Sequence, residues 1–134
     1  MLQTILFDLD GTLVHFEFDD FLKAYLGAIS SKVAQLVDAR VFVAQLLAST
    51  EEMVKSLDPT RTNQDVFADH FFSGLGRTED ELAPVLDAFY DEDFPRLRDA
   101  LGVEPHPLAR PMLEGLINRG YEVVIATNPV FPAN

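Results

Sequence analysis

The chain has 134 residues and carries 22 acidic against 10 basic side chains, a net charge of −12. That length bounds a single domain of ordinary size, and the apolar content is too high for a disordered acidic tail. Clustered Lys and Arg are missing, which argues against a nucleic-acid partner. No apolar run approaches the ~20 residues that span a bilayer, so no membrane partner is expected. There is no cysteine, which removes disulfides, thiolate nucleophiles and zinc–sulfur sites together and leaves the cytoplasm as the default compartment.

In chain order, Met1 to Leu9 reads as a buried strand through Ile5, Leu6, Phe7 and Leu9, closed by the turn signal Asp10-Gly11. Phe18, Phe21, Leu22, Tyr25, Leu26 and Ile29 then recur at helical spacing, and Ser30-Ser31 is expected to break that helix. Val33, Leu36, Val37, Val41, Ala44 and Leu47 predict a second helix ending near Ser49 to Met53, with a short turn over Glu51 to Leu57. Asp58-Pro59 is a break. Thr62 is a cap for a third helix bearing Val66, Phe67, His70 and Phe71, stopped at Gly74-Leu75-Gly76.

Thr78 and Glu81 form a capping box for a fourth helix through Leu82, Val85, Leu86 and Phe89, in which Pro84 is expected to kink the axis. Pro95 and Gly102 mark its exit. A fifth helix spans Leu108 to Arg119 with Gly120 as its stop, and Tyr121 to Ala126 is a second buried strand ending in Thr127-Asn128-Pro129. The order predicts a helical insertion between two strands of one parallel sheet. Two strands are few for such a sheet, and self-association around Tyr121 to Asn134 is expected through its unpaired edges.

The chemistry concentrates at Phe7-Asp8-Leu9-Asp10-Gly11-Thr12-Leu13. Two carboxylates two residues apart share one side of an extended strand end, where open α/β sheets place ligands. Like charges this close point to a hard cation with oxygen ligands, Mg²⁺ being the expectation. A solvated, Asp-rich strand-to-turn junction is the plainer alternative. An EF-hand is excluded, because the glycine comes too early and the flank is a strand.

His15 reads as an exposed linker residue or a hinge, His70 as a satisfied core histidine, and His106, between two prolines, as loop structure. The Phe-rich insertion reads as core, part of it lining a substrate pocket, and Asp91-Glu92-Asp93 as a solvated face.

Phe7 to Leu13 resembles the first motif of the haloacid dehalogenase-like hydrolase superfamily, and Ile125-Ala126-Thr127-Asn128 resembles its second. The helical stretch between them is similar to the α-helical cap of the phosphatase and phosphoglucomutase-like branch. The resemblance implies an α/β fold, a partial Rossmann-like parallel-sheet core carrying an inserted helical-bundle cap. Its divisions would be 1–15 (core), 16–101 (cap) and 102–134 (core).

It further implies a Mg²⁺-dependent hydrolase acting on a small phosphorylated substrate. Asp8 is then the nucleophile and Asp10 the general acid and base. The Asp8 carboxylate and the Asp10 carbonyl are metal ligands, and Gly11, Thr12, Thr127 and Asn128 are phosphate donors. An acid at Asp10 favours phosphate esters over carbon–halogen chemistry. The family pattern continues with a lysine and an acidic pair, whereas here only Pro129-Val130-Phe131-Pro132-Ala133-Asn134 follow. The expectation is that the chain corresponds to the N-terminal part of a longer hydrolase and is inactive alone. A non-catalytic binding module with a vestigial acidic pair is the other reading.

Overall fold

The computed structural model describes residues 3–127. The protein is α/β, a small parallel sheet interrupted by a helical insertion, and it divides into two compact units. One comprises the described parts of Met1–Phe21 and Arg98–Asn134, and the other is Leu22–Leu97.

In the first unit, strand β1 (Thr4–Phe7) pairs in parallel with the last strand, Glu122–Ile125, so that Ile5 lies beside Val123 and Phe7 beside Ile125. Both strands were expected to be buried. Instead Leu6 is 64% exposed and Ile125 56%, because a two-stranded sheet has too little neighbouring structure to cover both faces. After β1 the chain turns through Asp10–Leu13 into β2 (Val14–His15).

The helices follow. Helix α1 (Phe18–Val33) runs straight through Ser30-Ser31. Both hydroxyls donate back to the Gly27 carbonyl, at 3.2 and 2.7 Å, and this satisfies the serines without leaving helical geometry. Val33, expected to open the next helix, instead closes this one and is fully buried.

Helix α2 (Ala39–Lys55) is capped by the Asp38 carboxylate, which accepts from the amides of Arg40 and Val41 at 2.9 and 3.2 Å. It runs through Ser49 and Thr50, whose hydroxyls donate to the carbonyls one turn back, and ends at Lys55, two residues past Met53 and within the expected turn over Glu51 to Leu57. Helix α3 (Asn63–Leu75) is opened by a reciprocal box between Thr62 and Asp65 and closed by Gly76 in the left-handed conformation.

Helix α4 (Glu79–Ala88) starts at Thr78, whose amide donates to Glu81 at 2.9 Å. Pro84 lies inside it, and α4 nonetheless continues to Ala88. The helical path then widens into one π turn, Phe89–Asp93, with the Phe94 amide donating to the Phe89 carbonyl. Past that turn, Pro95 does not end the helix but sits in the first turn of α5 (Phe94–Ala100), where a missing amide is tolerated.

A two-residue strand β3 (Glu104–Pro105) pairs antiparallel with β2. Helix α6 (Ala109–Asn118) then returns to β4 (Glu122–Ile125), with Gly120 at its stop donating to Ile117.

The helical unit holds the better-formed core. Ile29, Val33, Phe42, Phe71, Leu82 and Phe89 are sealed from solvent, and the Phe42 and Phe71 rings meet edge to face at 5.5 Å. Tyr25 and Tyr90 join hydroxyl to hydroxyl at 2.8 Å, and burial pushes both phenols above their ordinary range. Asp93, expected on a solvated face, is half-buried and accepts from Lys32 at 2.6 Å. Among the described residues no helix is long and apolar enough to cross a membrane.

Candidate active site

β1 ends at Phe7, and the next residue, Asp8, is exposed at the C-terminal end of the strand. Asp10 is also exposed and bridges Val14. The turn between them closes on one carbonyl: Leu9 accepts from the amides of Thr12, Leu13 and Val14 at 3.2, 2.9 and 3.1 Å. A loop this tight needs a residue with positive φ, and Gly11 supplies it at 72°. Leu13, 6% exposed, anchors the turn below.

The second motif arrives at the same end of the sheet. The Ala126 amide donates to the Phe7 carbonyl at 2.8 Å, so the parallel register carries one residue beyond the strand. Thr127 follows, half-buried, two residues beyond the strand adjacent to the one that presents Asp8. Asn128 lies outside the described residues.

The Gly11 and Thr12 amides, singled out as phosphate donors, are engaged inside the turn. Gly11 donates to the Val14 carbonyl at 3.0 Å and Thr12 to Leu9. This conformation leaves the Thr12 side chain exposed in their place.

The chain belongs to the haloacid dehalogenase-like hydrolases. The model of that hydrolase family matches residues 2–133, which takes in both motifs and the whole helical insertion. No curated relative matches the chain.

For a haloacid dehalogenase-like hydrolase, the donor set at the sheet end has the right character. Asp8 and Asp10 offer hard oxygen atoms open to solvent, the ligand type that Mg²⁺ selects. Among the described residues no three His, Asp or Glu side chains gather into a metal-holding cluster, so any ion held there would draw on this pair, on backbone carbonyls and on water.

The structure also brings together two residues that sequence reading kept apart. The His15 and His106 rings meet edge to face at 6.4 Å, because β2 and β3 pair with His15 opposite Glu104. The Leu108 amide donates to His106 Nδ1 at 3.2 Å. No sequence signal links them, since each strand of the pair is only two residues long.

His70 is exposed rather than in the core, yet its Nδ1 is satisfied 2.9 Å from Ser49 Oγ.

Proposed function

We propose that this hydrolase is a Mg²⁺-dependent phosphatase or phosphomutase that acts on a small phosphorylated metabolite through an aspartyl-phosphate on Asp8. What supports the assignment is the parallel register of β1 and β4: the two-carboxylate turn and Thr127 follow the two strands at the same end of the sheet.

Asp8 attacks phosphorus as the bond to the leaving oxygen breaks, and Asp10 donates the proton that the leaving alkoxide requires. Asp10 then takes a proton from water as that water attacks the acyl-phosphate, which releases inorganic phosphate and restores the Asp8 carboxylate. The Thr127 hydroxyl and the Asn128 amide hold the transferring group, with the Thr12 side chain beside them. The Gly11 and Thr12 amides reach the phosphate when the turn gives up its internal bonds. Mg²⁺, held by the Asp8 carboxylate and by Asp10, would neutralise charge on the phosphoryl oxygens.

The inserted helical unit takes the part of a substrate-selecting cap, and the compartment is the cytoplasm. All three lysines, Lys23, Lys32 and Lys55, lie in the helical unit. The strand-end chemistry therefore has no lysine of the sheet unit to stabilise the phosphoryl charge, and this chain alone is expected to be inactive.

Two measurements test the assignment. Mg²⁺ binding followed by calorimetry should be lost in the Asp8→Asn variant. Aryl-phosphate hydrolysis, absent from this chain and present in one extended at its C-terminus, should fall at least 100-fold in the extended chain with the same substitution, the order expected on removing a nucleophile. Full activity in extended Asp8→Asn would overturn the nucleophile assignment. Undiminished ion binding would remove the metal from Asp8.

A further inference from the structure

His106 joins β3 to α6, and three of its polar atoms are engaged. Its amide donates to the Leu13 carbonyl at 2.8 Å, its carbonyl accepts from the Ala109 amide at 2.8 Å, and its ring Nδ1 accepts from the Leu108 amide at 3.2 Å. The flanking Pro105 and Pro107 have no amide to give, so the joint is held by His106 itself.

That joint leads to the candidate site, because β2 lies between β3 and the Asp8–Asp10 turn. On one side the Leu13 carbonyl takes the His106 amide. On the other, the Val14 amide donates to Leu9 at 3.1 Å, and the Val14 carbonyl accepts from Gly11 at 3.0 Å. Leu13 donates to the same Leu9 carbonyl at 2.9 Å, and its side chain is buried.

A backbone amide can only donate. The Leu108 bond therefore leaves Nδ1 bare and places the proton of the neutral ring on Nε2. A second proton can enter only at Nδ1, where it would face the Leu108 amide. It would also set a positive charge at the start of α6, where the helix carries its own partial positive charge, and beside the His15 ring, 6.4 Å away. The other charged groups here are Glu104, opposite His15 in the ribbon, and Arg110 in the first turn of α6, which pairs with Glu114 at 3.5 Å. Asp10 lies across Val14, on the far side of β2.

We propose that the neutral imidazole of His106 is a positioning residue for the Asp8–Asp10 turn, and that its protonation loosens that turn. Histidine changes charge between about pH 5 and pH 8, so the hold is present at the alkaline end of this range and released at the acid end. As regulation of a phosphoryl-transfer site, the inference rests on the function proposed above. The hold itself is measured without turnover, so either can fail alone.

Nuclear magnetic resonance of the 134-residue chain, titrated from about pH 8 to about pH 5, tests it. At the alkaline end the His106 ring should carry its proton on Nε2. On acidification the amide resonances of Leu108, Leu13 and Gly11 should move with one midpoint. Protection of the Leu13 amide from exchange, relative to an unfolded peptide at the same pH, should fall roughly three- to tenfold, the range of one lost hydrogen bond. This change lies above the titration of the carboxylates, at about pH 4.

His106→Asn keeps an acceptor two residues before Leu108 that does not titrate, and the turn amides should then hold their alkaline positions throughout. His106→Phe keeps a ring without the acceptor and should show the acid pattern at every pH. His15→Gln should leave the transition in place.

A proton on Nδ1 at the alkaline end overturns the inference, as does a turn that does not follow Leu108 or a transition that survives in His106→Asn. Its loss in His15→Gln overturns it too, since His15 would then be the titrating group. If His106→Phe does not fold, the titrations of the unaltered chain and of His106→Asn still decide.

Discussion

The helical unit and the sheet unit of this chain solve the burial problem differently. Helices α2 and α3 face each other across Phe42 and Phe71, neither more than 1% exposed, and Leu82 and Phe89 are sealed at 0%. In the sheet unit, Leu6, Leu108, Ile117 and Ile125 all remain more than half exposed. A helix can bury its apolar stripe against a single partner, whereas a parallel sheet needs cover on two faces and a neighbour at each edge. The stability of the helical unit therefore resides in its own side chains. The sheet unit seals little of its own strands, although the helical unit too exposes apolar side chains, Leu57 at 93% among them.

That contrast is tested hardest by truncating one apolar side chain in each region. Phe42→Ala removes a fully buried aromatic and should cost about 3–5 kcal/mol, enough to abolish most of the stability of a small domain. Ile125→Ala, at a residue 56% exposed, should cost about 1 kcal/mol or less. Urea unfolding followed by circular dichroism gives both numbers. Equal losses would mean that the sheet face is covered in solution after all.

A further effect is expected where Gly74 of α3 meets Gln45 of α2. A Cβ on Gly74 would collide with the Gln45 amide, which itself donates to the His70 carbonyl at 2.8 Å and to Ser49 Oγ at 3.2 Å. Gly74→Ala should displace that amide, at a net loss of about 1 kcal/mol once the helix propensity gained by alanine is offset. Gln45→Ala, which removes the obstructing group, should make the same glycine substitution harmless. A double-mutant cycle measures this coupling.

Local signals told much of this in advance. Thr62, Thr78 with Glu81, and Gly120 mark helix ends in the sequence and in the fold, because a cap is decided by neighbours within a few residues. Ser30-Ser31 misled, since hydroxyls that break a helix in one setting bond back to Gly27 in another. Pro95 misled for a related reason: the π turn before it shifts the ladder, a feature no periodicity reveals.

At the candidate site, the strand-end position of Asp8 and Asp10 was legible from the alternation before a turn. The inward use of the Gly11 and Thr12 amides was not, because it depends on how Val14 returns to the loop. His15 and His106 were equally hidden, their proximity being a consequence of a pairing across some 90 residues of inserted chain.

The smallest expected effect is on pH, and it again separates the two regions. In the helical unit, bonds from Thr62 hold the Asp65 carboxyl below its ordinary range, and bonds from Thr60 do the same for Asp58. The Thr78 amide acts likewise on Glu81, and Lys55 on Glu51. A carboxyl whose folded-state value is depressed contributes stability above its unfolded value, about 4, and loses it as pH falls through the folded one.

Lys32 is raised by its bond to Asp93, so its contribution holds below an unfolded value of about 10.4 and is lost as pH rises through the folded one. These groups are exposed and each effect is small, but the four carboxyls act in the same direction. The melting temperature of the helical signal should therefore fall from pH 5 towards pH 2, and again above pH 10. Asp65→Asn should flatten the acid limb by keeping a Thr62 acceptor that does not titrate. If the acid limb keeps its slope in that variant, the loss comes from general charge rather than from the caps, and the two units would share it.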